Sequence, residues 1–157
     1  MKDESLCLHA GYTPENAGPR VMPIVQSTTF RYDTTKDIAD LFDLKTANYF
    51  YTRLGNPTCG HVEEKIAALE GGVGAMLTSS GQAATLTSVL TIAKAGDRIL
   101  CSASVYGGTF NLMAVTFKRM GIEVDFFEQS ESDEEIAKRI YPNTKAIFGE
   151  TIANPAL

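Results

Sequence analysis

The stretch TSSGQAA, residues 78–84, has the residue types that suit a phosphate site. Its small side chains allow close approach to the backbone, and free N–H groups at the start of the helix predicted to follow, aided by the helix dipole, bind phosphate well. An ordinary helix cap with a tight turn is the alternative, because Ser-Ser-Gly is typical of one. The stretch matches neither G-x-x-x-x-G-K-[ST] nor G-x-G-x-x-G, so it does not support a nucleoside triphosphate or dinucleotide site.

Further polar and aromatic residues follow predicted strands, where parallel sheets collect their ligands. Tyr106 can stack on a flat ligand or simply cover the core edge. Glu150 and Asn154 follow the last predicted strand, although Asn-Pro is also ordinary turn chemistry. Arg53 offers a planar charged fork suited to phosphate, unless it is merely solvated, and Tyr51 lies two residues before it. An extended segment would point both side chains to one side.

Composition narrows the classes of protein that remain. The 157 residues are 44% hydrophobic and 21% charged, which is ordinary for one globular domain. A formal net charge of −5 gives no basic surface for nucleic acid or an anionic membrane. No apolar run approaches the roughly 20 residues that span a bilayer, and the N-terminus has no signal-peptide pattern. We therefore expect a cytoplasmic protein that binds neither nucleic acid nor membrane.

The cysteines and histidines form no motif of a metal or disulfide site. Cys7, Cys59 and Cys101 are odd in number and widely spaced, without a C-x-x-C pair. His9 and His61 lack companions at i, i+4. We expect a reducing compartment and no metal.

Residues 1–58 are predicted to form an extended N-terminal arm. Prolines and glycines interrupt them, and only residues 35–45 have apolar side chains at helical spacing. The arm is either a poorly ordered terminus or a segment that packs on a neighbouring subunit. Its aromatic residues favour the second interpretation, because disordered segments are poor in aromatics. They are Phe30, Tyr32, Phe42, Tyr49, Phe50 and Tyr51.

Residues 59–157 alternate between strand and helix patterns. A helix is predicted over 59–70, ended by Gly71-Gly72. Predicted strands and helices then succeed one another over 74–80, 81–96, 97–103, 108–121, 122–128, 133–140 and 145–151. This order predicts an α/β fold with a mostly parallel sheet and helices on both of its faces.

Taken together, these segments resemble the Cys/Met-metabolism family of pyridoxal 5′-phosphate (PLP) enzymes. The resemblance rests on YTRLGNPT, EEKIAALEGG, SSGQAA, AGDRIL, YGGTFNL and NTKAIFGETIANP, which follow the family's order and approximate spacing. The opening LHAGYTPENAGPRVMPIVQSTTF and the DIADLFDLK segment are most similar to the O-acetylhomoserine sulfhydrylase branch of the family. Cystathionine γ-synthases and methionine γ-lyases share most of the same motifs.

The resemblance implies a fold, a cofactor and its contacts. The fold is the large domain of the PLP-dependent transferases, here incomplete, in a homotetramer built from dimers. The PLP phosphate is expected on the backbone amides of Gly81 and Gln82, with Tyr51 and Arg53 reaching in from the neighbouring subunit's arm. Tyr106 is expected to stack over the pyridine ring. Asn154 is expected to hydrogen-bond the ring's 3′-oxygen. The expected substrates are O-acetyl-L-homoserine and sulfide or a thiol.

The resemblance also implies a residue that these 157 positions do not supply. PLP chemistry needs a lysine that holds the cofactor as a Schiff base and moves protons. In the family it lies downstream of the Asn-Pro motif, so we expect it beyond Leu157. No lysine here lies in the family's Schiff-base context; the lysines are Lys2, Lys36, Lys45, Lys65, Lys94, Lys118, Lys138 and Lys145.

Two interpretations remain open at this point. In the first, the chain is the N-terminal portion of a PLP-dependent transferase that replaces the acetate of O-acetyl-L-homoserine, and the isolated 157 residues are inactive. Another member of the same family, such as a cystathionine γ-synthase or methionine γ-lyase, is a variant of this interpretation. In the second, it is a non-catalytic binding module or one half of a complementing pair.

Overall fold

The computed structural model describes residues 2–153, which form two compact units divided between Leu77 and Thr78. The first unit contains helices α1 (Asp3–His9), α2 (Thr35–Phe42) and α3 (Pro57–Glu70). The second contains α4 (Gly81–Ile92), β1 (Arg98–Ser102), α5 (Gly107–Asn111), β2 (Glu123–Phe127), α6 (Asp133–Ala137) and β3 (Thr144–Phe148). The predicted division into an arm, 1–58, and a cofactor-binding domain, 59–157, stays a prediction.

Helix α3 begins and ends at clear local signals. Asn56 is its N-cap residue and accepts a hydrogen bond from the N–H of Thr58 at 2.9 Å, and Pro57 occupies the first helical position. Gly71 ends the helix in the left-handed region, with φ of 64°. The glycine stop predicted for this helix is confirmed.

Helix α1 lies within residues 1–58, the predicted arm, where the sequence pattern predicted no helix. It packs on α3 through the turn that follows it: His61 Nδ1 contacts the carbonyl oxygen of Gly11, and the ring of Tyr12 meets the His61 ring edge-on at 5.2 Å. Lys65 Nζ donates to the carbonyl of Cys7 at 3.0 Å. Gly11 has φ of 82°, and a Cβ there would meet the His61 carbonyl oxygen at 2.3 Å, so only glycine fits. These contacts are too distant in sequence to produce a local pattern.

The second unit is built on a parallel three-stranded sheet with the strand order β2-β1-β3. Central β1 is the most buried strand, because both of its edges are paired. Ile99 lies opposite Val124 on one side and Ala146 on the other. The predicted parallel α/β architecture is confirmed.

One hydrophobic core fills the second unit. Ile99 and Cys101 of β1, together with Met113 and Phe117, have no exposed surface. The remaining residues of this cluster are Val89, Ala93, Val105 and Ile122. The helices therefore pack against one face of the central strand. The loops that follow the strands extend from this packed core.

The strand predicted over 74–80 does not form, and within residues 2–153 the sheet has three strands rather than four. Among the described residues, none pairs with this run as a strand. Val73 is fully exposed and Met76 is 67% exposed. The Leu77 N–H instead donates to the Glu63 carboxylate at 2.7 Å. A buried parallel strand needs neighbours on its edges and faces, and no such neighbour is present in the described part of the chain.

Two predicted helices differ in detail from the prediction. The helix predicted over 81–96 ends at Ile92, and Gly96 lies in the turn before β1 with φ of 91°. The helix predicted over 108–121 begins as α5 but continues as a π-helical segment, Leu112–Phe117. A π-helical turn holds an extra residue, and six residues are too few for sequence periodicity to reveal it.

The fully buried thiol of Cys101 is predicted to resist alkylation. Burial in the core, and secondarily the nearby Glu150 carboxylate, raises its pKa to about 12. Because the thiolate is the reactive form, Cys101 should stay unmodified by iodoacetamide at pH 8 in the folded full-length protein. Peptide mass spectrometry checks this, with the same protein alkylated in guanidinium as the control. Modification of Cys101 at the same rate in both conditions would contradict the burial.

Candidate functional site

The start of α4 presents backbone N–H groups that no described residue uses. Ser80 is the N-cap residue, and its Oγ accepts from the N–H of Ala83 at 3.1 Å. Its carbonyl accepts from Ala84 at 3.0 Å. The N–H groups of Gly81 and Gln82 have no acceptor within the described part of the chain, and a Cβ on Gly81 would meet nothing within 4 Å. An ordinary helix cap and two free amides therefore coexist here.

The side chain of Gln82 ties the start of α4 to the start of α5. Its Nε2 donates to Thr109 Oγ1 at 3.2 Å, and Thr109 is buried. This bond uses only the side chain of Gln82, so the backbone N–H of Gln82 stays unpaired among the described residues. Since Thr109 lies three residues after Tyr106, the free amides and the aromatic residue lie on neighbouring helix starts.

Tyr106 is the N-cap residue of α5, and the residue is 49% exposed. The strand before it ends at Ser102, so Tyr106 lies four residues into the loop. Its N–H donates to the carboxylate of Glu150 at 3.0 Å. The ring lies against the backbone of Gly108, where an added Cβ would meet the ring's Cε1 at 2.5 Å. An exposed aromatic face held at a strand end is suited to stacking on a flat ligand.

Tyr51 and Arg53 lie in a turn of the first unit. The N–H groups of Leu54 and Gly55 donate to the carbonyl of Tyr51 at 2.9 and 3.1 Å, and Tyr51 forms an isolated antiparallel bridge with Thr29. The prediction of an extended segment is therefore wrong, because these hydrogen bonds form a turn after Tyr51. The two side chains still share one side: the guanidinium carbon of Arg53 lies 5.3 Å from the centre of the Tyr51 ring.

Asn56 holds this turn in place, a role that the sequence analysis missed. Its side chain is almost fully buried and donates to the Val25 carbonyl and to Thr52 Oγ1, both at 3.1 Å, while it caps α3. The signal that could have found it is the Asn-Pro pair directly after the turn, which is typical of an N-cap.

The structure therefore brings some of the predicted site residues together. Gly81, Gln82 and Tyr106 lie on adjoining helix starts of the second unit, and Tyr51 and Arg53 form a pair in the first. Predicted Asn154 lies outside the described residues. Within residues 2–153, no group of three or more His, Cys, Asp or Glu side chains is placed to hold a metal, and no helix is both long and apolar enough to cross a membrane.

Comparison with known proteins gives one family over almost the whole chain. The family model described as "Cys/Met metabolism PLP-dependent enzyme" matches residues 4–157. The O-acetyl-L-homoserine sulfhydrylase of Leptospira meyeri is 42% identical over 100% of this chain and 36% of that protein. The Corynebacterium glutamicum enzyme of the same name is 44% identical over 97% of this chain and 35% of its own length. The chain thus spans little more than a third of these curated relatives.

Solved structures give the same result. A Campylobacter jejuni protein described as an O-acetylhomoserine (thiol)-lyase superposes with a TM-score of 0.89 at 34% identity, over 99% of this chain and 38% of that one. It carries a pyridoxyl-lysine phosphate at its position 205. Cystathionine γ-lyase from Lactobacillus plantarum, in complex with L-serine, gives 0.84 at 34% identity, over 99% and 38% of the two chains.

Proposed function

The chain belongs to the Cys/Met metabolism family of PLP-dependent enzymes, and on this premise we propose that the full-length protein is an O-acetyl-L-homoserine sulfhydrylase. The observation that carries this proposal is the set of relatives bearing that name, at 42–44% identity over 97–100% of the chain. The reaction replaces the acetate of O-acetyl-L-homoserine by sulfide, giving homocysteine, or by a small thiol, giving methionine when the thiol is methanethiol.

A methionine γ-lyase is the second candidate. The enzyme of that name from Fusobacterium nucleatum is 43% identical over 96% of this chain. The two activities begin from related amino acids and differ in whether a thiol enters or leaves at the γ-carbon. Residues 2–153 supply cofactor contacts that would serve either reaction.

The geometry of the second unit fits the proposed cofactor. The unpaired amides of Gly81 and Gln82, at the positive end of α4, have open space in front of them and suit a phosphate. The exposed ring of Tyr106 on the adjoining helix start suits a pyridine. Tyr51 and Arg53 would add a hydroxyl and a charged fork from a neighbouring subunit, and Asn154 a hydrogen bond to the 3′-oxygen.

When bound, PLP supplies an electron sink for charge that develops next to the substrate's reacting carbons. The residues present in this chain would bind and orient: the α4 amides fix the phosphate, and Tyr106 fixes the ring plane. The lysine that holds the cofactor and moves protons is expected beyond Leu157. The Campylobacter jejuni neighbour's modified lysine at position 205 of its own chain supports this expectation. An isolated 157-residue chain should therefore be inactive.

Assembly and location complete the proposal. A homotetramer built from dimers would place the arm of one subunit at the cofactor of another, which gives the Tyr51–Arg53 pair a purpose. We propose a cytoplasmic transferase of methionine biosynthesis, because its substrates are small soluble amino acids and sulfide or thiols.

Steady-state kinetics of the full-length protein test the function. We expect acetate and homocysteine to form from O-acetyl-L-homoserine and sulfide, with a higher kcat/KM than for O-succinyl-L-homoserine. A preference for the succinyl substrate with cysteine would indicate a cystathionine γ-synthase. Release of methanethiol from L-methionine as the faster reaction would indicate the lyase, and no reaction with any of these substrates would favour a non-catalytic binding module.

Gly108 should control the position of the Tyr106 ring. A Cβ at Gly108 would meet the ring edge at 2.5 Å, whereas one at Gly107 would meet nothing within 4 Å. Gly108→Ala should therefore tilt the ring and weaken PLP binding by up to about tenfold, the worth of one aromatic stack. The folded state should hardly be affected, because the ring is the free end of a flexible side chain.

Cofactor titration of the full-length apoprotein, followed by absorbance, measures this effect, and Gly107→Ala is the matched control. Equal PLP affinities for the two variants would show that the ring does not stack on the cofactor.

A further inference from the structure

We propose that Glu150 is a positioning residue, which fixes Tyr106 against the cofactor by holding the first turn of α5 from a different loop. The proposal rests on the proposed PLP function. It concerns a residue to which the family resemblance gives no catalytic role, and which contacts Tyr106 across 44 positions of sequence.

The start of α5 lacks the usual cap. Ser, Thr, Asp or Asn normally occupies an N-cap position, because its side chain accepts a hydrogen bond from the first turn. Tyr106 occupies it here, and its side chain makes no capping bond. The Tyr106 side chain therefore caps no backbone N–H of α5, and its exposed ring remains available for another contact.

Glu150 supplies the missing acceptor. In a capping box, a Glu or Gln at the third helical position accepts from the N–H of the N-cap residue. The third position of α5 is Thr109, whose hydroxyl is already bonded to Gln82. The Glu150 carboxylate takes over this function by accepting from the Tyr106 N–H at 3.0 Å. Its negative charge also suits the positive end of the helix.

The topology explains how Glu150 reaches this position. Strands β1 and β3 are parallel neighbours, and Cys101 pairs with Phe148 near their carboxyl ends. The loops that follow them therefore leave the sheet at the same edge. Glu150 stands two residues after β3, and Tyr106 stands in the loop after β1. The hydrogen bond thus ties two loops that the sheet alone leaves independent.

The start of α5 is consequently held at two points. Gln82 fixes Thr109 from the phosphate-binding helix start, and Glu150 fixes the backbone of Tyr106 from the last strand. Between them stands Gly108, against which the ring lies. Loss of the Glu150 contact would free the N-cap residue while the rest of the helix stays anchored, so the ring would lose its orientation before the fold is affected.

The test uses the full-length holoenzyme and three variants. Glu150→Ala removes the acceptor, Glu150→Gln keeps an oxygen of the same reach without the charge, and Glu134→Ala removes an exposed carboxylate of the same unit as a control. Three readouts are compared: the Kd for PLP, the visible circular dichroism of the bound cofactor, which reports ring stacking, and the melting temperature of the apoprotein.

We expect Glu150→Ala to weaken PLP binding by up to about tenfold, the worth of the Tyr106 stack on the cofactor that it would loosen, and to reduce the cofactor's dichroic band. Glu150→Gln should recover most of both, and Glu134→Ala should match the wild type. An unchanged Kd and dichroic band in Glu150→Ala, with wild-type PLP binding intact, would overturn the positioning role alone. Absence of PLP binding by the wild type would overturn the proposed function as well.

If Glu150→Ala does not fold, a further variant tests the positioning role. Glu150→Asp shortens the side chain by one methylene and keeps its charge. If position matters, the aspartate variant should lose affinity while the glutamine variant retains it. Wild-type PLP affinity in both Glu150→Asp and Glu150→Gln would contradict the positioning role.

Discussion

Replacing Arg53 with alanine in the full-length protein should weaken PLP binding by about 10- to 150-fold, because a charge-assisted hydrogen bond to phosphate is worth about 1.5–3 kcal/mol. The Arg53 guanidinium is available for a phosphate contact. Arg53 is exposed, no acidic residue pairs with it in the described part of the chain, and the Tyr51 ring supports its guanidinium at 5.3 Å. Asn56 fixes the turn that carries both residues.

Equilibrium titration of the apoprotein with PLP measures the loss. Arg31→Ala is the matched control, because Arg31 lies in the same unit, is exposed and pairs only with Asp33 at 2.9 Å within the described residues. Arg53→Lys separates charge from shape, since lysine keeps the charge but not the planar fork. Its PLP affinity should lie between those of the wild type and Arg53→Ala. An alanine variant with wild-type affinity would remove Arg53 from the cofactor site.

Replacing Phe117 with alanine should destabilise the protein by about 3–5 kcal/mol, the range for large-to-small changes in a packed core. Phe117 ends the π-helical segment and has no exposed surface, and it packs in one cluster with Ile99 and Met113. Its removal would leave a cavity beneath the central strand that carries the site loops. Such a loss is a large share of the stability of an ordinary protein.

Chemical denaturation of the full-length protein, monitored by circular dichroism, measures this change. Val115→Ala is the matched control, because Val115 belongs to the same π-helical segment but is 42% exposed. Val115→Ala should lower the free energy of unfolding much less than Phe117→Ala does. Similar losses for the two variants would mean that the segment does not pack as described.

The parts of the fold that depend on local chemistry were predictable from sequence. The glycine stop after α3, the Ser80 cap and the apolar run of β1 are each written in a few adjacent residues, and the structure contains all three. The strand expected over 74–80 shows the limit of such signals. Its apolar residues are those of a buried strand, but strand formation depends on a neighbour that the run itself does not specify.

The residues of the candidate site were predicted one by one from the sequence, but the contacts that hold them in place were not. Tyr106, Arg53 and the stretch that contains Gly81 and Gln82 were singled out by their chemistry, and the resemblance to a family then assigned their contacts. The contacts that hold them join distant positions: Tyr106 with Glu150, and Gln82 with Thr109. No pattern within a window of ten or twenty residues contains such a pair, so geometry alone reveals it.

Borohydride reduction of the full-length protein saturated with PLP, followed by peptide mass spectrometry, identifies the lysine that holds the cofactor. We expect one phosphopyridoxyl group per chain, on a lysine beyond Leu157, with much less labelling of Arg53→Ala at low PLP concentration. A stoichiometric adduct on one of the eight lysines within residues 1–157, or no specific adduct at all, would contradict it.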